Sequence, residues 1–158
     1  MIATADLVTL GTVREAISRE VEPQDGAGGP ELPVLDTVVR VDEILKGGKV
    51  PGALATVKTL EFAYSGGDTE WRCPGERVLL FLSPSTEEPG FYTTAITNYS
   101  QSVYVLRNGK PEATVRDSLP DKVVQKVESL SAPELRRKVE NAEEGREKGE
   151  IKPLKREL

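Results

Sequence analysis

Apolar and β-branched positions along the first three-quarters of the chain fall in short runs broken by Gly/Pro turns. In the last quarter they recur at helical spacing. Leu7–Val13 reads as a first strand that continues weakly toward Ile17, with Gly11 marking a bend or bulge. The loop Gln24–Pro30 separates it from Val34–Leu45, where Leu35, Val39 and Val41 alternate. Lys46-Gly47-Gly48-Lys49 and Pro51-Gly52 close this second strand, and Leu54–Tyr64 reads as the third. A polar loop from Ser65 to Gly75 follows. The fourth strand, Arg77–Leu82, holds five consecutive apolar residues and is predicted to be central. Its Val78, Leu80 and Leu82 face one side, and Leu79 and Phe81 the other. Phe91–Thr97 and Ser102–Arg107 come next, and Asn108-Gly109 predicts a type I′ hairpin into Ala113-Thr114-Val115.

The helical quarter is equally well punctuated. Ser118-Leu119-Pro120-Asp121 and Ser131-Ala132-Pro133-Glu134 both have the form of a capping box with proline in the first turn. Val123, Val124, Val127 and Leu130 form an apolar stripe after the first, and Leu135, Val139 and Ala142 follow the second. Pro133 forbids one straight helix, so two short helices or one sharply kinked helix are expected. The stripe is too narrow to stand alone and should pack on the barrel, covering an edge or one open end. The expected organisation is one domain over residues 3–140 and a charged tail over 141–158. The fold class is mainly β with C-terminal helices, a five- or six-stranded OB-like barrel, since closure removes exposed strand edges.

Composition narrows the chemistry. The chain of 158 residues has no histidine, which excludes histidine triads, histidine general bases and histidine metal sites. Cys73 is the only cysteine, so it forms neither an intrachain disulfide nor a Cys-rich zinc site, and without histidine it lacks the usual base of a thiol nucleophile. Asp68 and Glu70 lack the spacing of an EF-hand and read as solvated loop acids. Gly47-Gly48-Lys49 lacks the rest of a phosphate-binding loop. Asn98-Tyr99-Ser100 matches a glycosylation sequon, which matters only in a eukaryotic secretory setting. No catalytic residue, metal site or cofactor is predicted. The longest apolar run, Val78–Leu82, is far short of the ~20 residues that cross a bilayer. The opening residues Met1–Asp6 carry no basic stretch and no apolar core of a signal peptide.

Charge speaks against nucleic acid. Tyr64, Trp71, Tyr92, Tyr99 and Tyr104 could offer stacking platforms on an OB-type barrel. However, residues 1–118 hold 11 basic and 17 acidic side chains, a net charge of −6, where such a groove should be positive.

Three ordered phrases carry a resemblance. Ala5-Asp6-Leu7-Val8 with Gly11-Thr12-Val13, then Val41–Gly47, then Gly75–Leu82 together resemble the bacterial relatives of the tissue inhibitors of metalloproteinases. That similarity covers roughly residues 3–140. It implies a netrin-like, OB-type barrel with packed helices, in a protein exported after removal of a leader just before the Ala-Asp phrase. It does not imply protease inhibition, because no residue here matches the N-terminal cysteine that chelates the protease zinc in that family. The function expected is a non-enzymatic protein-interaction module, extracellular or at the cell surface, with another protein as partner. The alternatives are a small-molecule-binding barrel, a single-stranded nucleic-acid-binding barrel, and a cytoplasmic location. The interaction surface expected is the Tyr64–Gly75 loop, with Tyr64, Trp71 and Arg72, types enriched at interface hot spots. The competing reading of Trp71 is as a plug for one end of the barrel.

Overall fold

A computed structural model describes residues 4–21, 31–60, 70–95, 102–114 and 122–149. Seven strands form one mixed sheet: β1 (Leu7–Val21), β2 (Leu32–Lys46), β3 (Leu54–Leu60), β4 (Arg77–Pro84), β5 (Phe91–Thr94), β6 (Val103–Arg107) and β7 (Lys110–Ala113). Two helices, α1 (Lys122–Glu128) and α2 (Ala132–Glu147), follow. The ladders β1–β2, β2–β3, β5–β4 and β4–β1 are antiparallel, and β3–β5 is parallel. Pairing therefore runs in a circuit, β1-β2-β3-β5-β4 and back to β1. β6 continues along the edge of β4 that β5 leaves free, and β7 closes the hairpin beside it.

The apolar run of β4 explains the two cores. Val78, Leu80 and Leu82 lie in one cluster with Leu7, Val13, Val39, Val57, Trp71 and Val103, while Leu79 and Phe81 lie in another with Val8, Leu10, Tyr104, Val127 and Leu135. All five β4 side chains are fully buried, as the unbroken run predicts. Helices cover the second cluster: Val127 is buried in it, and Val124 and Leu130 pack against it. The stripe of α1 thus buries against the sheet, since a helix this short gains its stability from packing.

Local signals held at several points. Asn108 and Gly109 both have positive φ (52° and 76°) between β6 and β7, the geometry of a type I′ turn. The strand after the turn is Lys110–Ala113, three residues earlier than the expected Ala113–Val115. Ser131 and Glu134 cap each other at the start of α2. The register of β1 against β2 shifts at Leu10/Gly11, and a Cβ at Gly11 would stand 2.5 Å from Val39 Cγ1 and 2.7 Å from the Arg40 carbonyl oxygen.

Two boundaries differ from expectation. β1 runs to Val21, past the Ile17 toward which it was expected to continue weakly; beyond its third register shift, at Val13/Glu15, it pairs with β2, and its side chains there are largely exposed, so no apolar alternation is needed. α2 continues past Asn141 to Glu147, through the charged stretch read as tail. Glu, Arg and Ala are good helix formers that extend the capped helix, and Gly145 within this stretch is buried. Residues 61–64 of the expected third strand, Ile96 and Thr97, Val115, the Ser118–Asp121 cap and the last residues from 150 lie outside the described residues.

Candidate functional site

Trp71 and Arg72 sit on a short 3₁₀ turn, Glu70–Arg72, that folds back toward the sheet. Trp71 is fully buried in the cluster of Val13, Val57 and Leu80. Arg72 is only 7% exposed; its guanidinium lies over the indole and donates from Nη2 to Thr59 Oγ1 at 3.1 Å. Both side chains thus serve packing of the turn against the sheet. Tyr64 lies outside the described residues. Cys73, next along the turn, is exposed.

A different surface is open. Cross-strand pairs set which residues share a face: Glu15 stands opposite Val38, Ile17 opposite Asp36, Val38 opposite Thr56, Arg40 opposite Leu54, and Asp36 opposite Lys58. Ile17 and Leu54 are about half exposed, at 50% and 49%, and partly buried Val38 lies between them. The result is an apolar diagonal across β1, β2 and β3. Ion pairs border it. At one end Arg40 Nε donates to Asp42, which also accepts from Thr12 Oγ1 at 2.6 Å. Burial pushes the Asp42 carboxyl up, but the bonds from Thr12 and Arg40 outweigh it and hold the pKa below the ordinary value.

At the other end the β4–β5 loop docks onto the strands. Arg19 donates to Asp36 and forks onto Glu88 at 2.9 and 2.7 Å, with its guanidinium over the Phe91 ring. Lys58 reaches Glu88 at 3.0 Å and Glu87 at 3.3 Å. The bonds from Arg19 first, and Lys58 second, pull the Glu88 carboxyl down to about 2. Arg19 is held above its ordinary value, chiefly by Glu88 and then Asp36. Lys58 is also raised: burial works against its charge, and the two glutamates overcome that. This cluster ties the loop to the strands, with two cations, Arg19 and Lys58, set against three carboxylates, Asp36, Glu87 and Glu88.

The chemistry this face supports is contact. Arg19, Arg40 and Lys58 stand against Glu15, Asp36, Asp42, Glu87 and Glu88, so the face is acidic on balance, the wrong sign for a phosphate backbone. A half-exposed apolar centre with a polar rim matches the anatomy of a protein interface. A separate cavity of about 500 Å³ at the β6–β7 hairpin is lined by the charged Arg107, Lys110, Glu112 and Glu128 together with Asn108 and Pro111. Among the described residues no group of three or more acidic or cysteine side chains is placed to hold a metal ion. No helix of the described residues is long and apolar enough to cross a membrane. Sequence reasoning missed the β1–β2–β3 face because its apolar members come from three distant segments, each scattered among charges. The alternation of Asp36, Val38, Arg40 and Asp42 was the available signal. Comparison with protein-family models, with curated proteins and with solved structures finds no match to this chain.

Proposed function

We propose that this chain is a non-enzymatic OB-type barrel module of an exported protein, and that it binds another protein through the outer face of β1, β2 and β3. The pairing circuit with its parallel β3–β5 step supports the barrel reading, because that strand order lets a five-stranded sheet close on itself. The resemblance to the bacterial relatives of the tissue inhibitors of metalloproteinases points the same way, and it is the ground for export. Absence of histidine supports the non-enzymatic reading. The observation that carries the binding reading is the half-exposed Leu54, flanked by Val38 and Ile17 and bordered by ion pairs. Apolar groups of that size left open within a ring of paired charges suit a partner with a complementary apolar spot.

The test places a photo-crosslinking amino acid at position 54 and, separately, at the exposed position of Lys138 on α2, in the protein's native cells. A discrete protein adduct from position 54 that is absent from position 138, and lost on adding Arg40→Glu, supports the reading. Identical adducts from both positions, or none, refute it. Saturable, salt-sensitive binding of a labelled oligothymidylate to the purified chain would refute it in favour of nucleic acid.

A further inference from the structure

We propose that the cavity beside the β6–β7 hairpin binds a short zwitterion of dipeptide length, its carboxylate held by Lys110 and its ammonium by Glu112. The cavity's volume, about 500 Å³, falls within the roughly 300–1,000 Å³ of small-molecule sites. Four charged side chains line it, and they divide into two that are engaged within the protein and two that face outward.

Arg107 and Glu128 are engaged. Arg107 Nη1 donates to both carboxylate oxygens of Glu76, at 3.2 and 3.1 Å. Glu128 accepts from Ala113 N–H at 2.9 Å, which ties the end of α1 to β7. Two walls of the cavity are thus built before any ligand arrives, and less order remains to be imposed on binding. The turn at Asn108 and Gly109, with positive φ at both, sets the path of β7 between them. Pro111 is the apolar member of the wall.

Lys110 and Glu112 are exposed, and among the described residues neither makes an ion pair. Glu134 of α2 feels the Lys110 charge but caps Ser131 instead. As alternate residues of β7, on either side of buried Pro111, Lys110 and Glu112 share a face roughly 6–7 Å apart along the strand. Opposite charges at that separation select a ligand shape. Two residues of extended peptide span roughly 7 Å, so a free dipeptide lying antiparallel to β7 brings its carboxylate to Lys110 and its ammonium to Glu112. Both contacts are charge-assisted hydrogen bonds. A chain terminus of a protein carries only one of the two charges and leaves the other residue unmatched.

An amide NMR titration of the full chain with glycylglycine tests this. Expected are saturable shifts confined to Arg107–Ala113 and Glu128, with a dissociation constant of roughly 1 mM or below. N-Acetylglycine lacks the ammonium and glycinamide lacks the carboxylate; each should bind roughly tenfold more weakly, the loss of one charged hydrogen bond. Lys110→Gln should reduce glycylglycine to the affinity of glycinamide, and Glu112→Gln to that of N-acetylglycine. Exchanging the charges, Lys110→Glu with Glu112→Lys, should restore glycylglycine binding, since the dipeptide then lies the other way round. Both positions are exposed, and amide spectra unchanged outside the hairpin verify the fold of each variant. Equal affinity for the three probes, shifts scattered over the surface, or no saturation overturns the proposal. A glycylglycine site indifferent to both substitutions overturns it equally.

Discussion

Leu80→Ala tests the inner core and the central place of β4. Leu80 is fully buried, with Thr9 of β1 opposite it on one edge and Val103 of β6 on the other. The substitution removes three carbons, worth about 2.4 kcal/mol of transfer energy at about 0.8 kcal/mol for each buried methylene-sized group. Ladders on both edges of β4 hold its backbone, so the site collapses little and a cavity term adds to this. The expected total is about 3–4 kcal/mol, inside the range of about 2–5 seen for buried Leu→Ala changes. For a chain of this length each kcal/mol lowers Tm by roughly 2–4 °C, giving a fall of roughly 6–16 °C. Urea unfolding should show the loss as a lower midpoint with an unchanged slope. Leu54→Ala, on the open face, provides the contrast and should cost about 0.5 kcal/mol or less. A Leu80→Ala loss under about 0.5 kcal/mol would mean that β4 is peripheral and the two-core description is wrong.

Two further outcomes follow from the same geometry. Glu88 has a folded-state pKa near 2 against an ordinary 4.5, so its contribution is fully present above about 4.5 and is lost as pH falls through about 2. Glu88→Gln should therefore remove part of the acid-side loss of stability, while costing only about 0.2–1 kcal/mol at neutral pH because the pair is partly solvated; urea midpoints across that pH range check it, and an unaltered acid limb counts against the Arg19–Glu88–Lys58 cluster. Gly11→Ala should destabilise by about 1–3 kcal/mol, since its Cβ meets Val39 Cγ1 and the Arg40 backbone inside contact distance, and a wild-type Tm would show that this approach of β1 to β2 is looser than described.

What the sequence disclosed and what it hid divide along physical lines. Five apolar residues in a row at Val78–Leu82 can be buried only from both sides, so β4 and its two clusters were legible. Asn108-Gly109 was legible because both positions must take positive φ, and Ser131 with Glu134 because a cap needs only neighbours in sequence. The far half of β1 was not. Residues 14–20 carry charge on both faces, a pattern shared by solvated strands and loops, and only pairing with β2 decides between them. Trp71 and Arg72 show the same limit. Residue type suggested an interface, but a 3₁₀ turn aims the indole inward, and that turn depends on where β3 and β4 place Thr59 and Leu80.

The three phrases behind the family resemblance meet at one place in the fold, which limits what they can say. Asp6 N–H donates to the Leu82 carbonyl, joining the first phrase to the third, and at the other end of that ladder Val13 accepts from Gly75 N–H and donates to the Glu76 carbonyl. Lys46, only 5% exposed, donates from Nζ to the Ala5 carbonyl at 2.7 Å, and a Cβ on Gly47 would stand 2.5 Å from the Asp6 oxygen. Burial, and then the nearby Arg146, hold the Lys46 amine below its ordinary pKa, with Glu143 and Asp6 acting the other way. Within the second phrase, Glu43 accepts from Thr9 through its carbonyl and from Arg136 of α2 through its carboxylate. Each of these residues therefore closes a joint between strands or ties a helix to the sheet. Requirements of that kind recur wherever a sheet of this topology is built, whatever it binds. The residues that would choose a partner, Val38, Arg40 and Leu54, all lie outside the phrases, on partly or fully exposed positions. Two proteins could share every phrase and no partner, which is why the face, rather than the resemblance, is where function is to be tested.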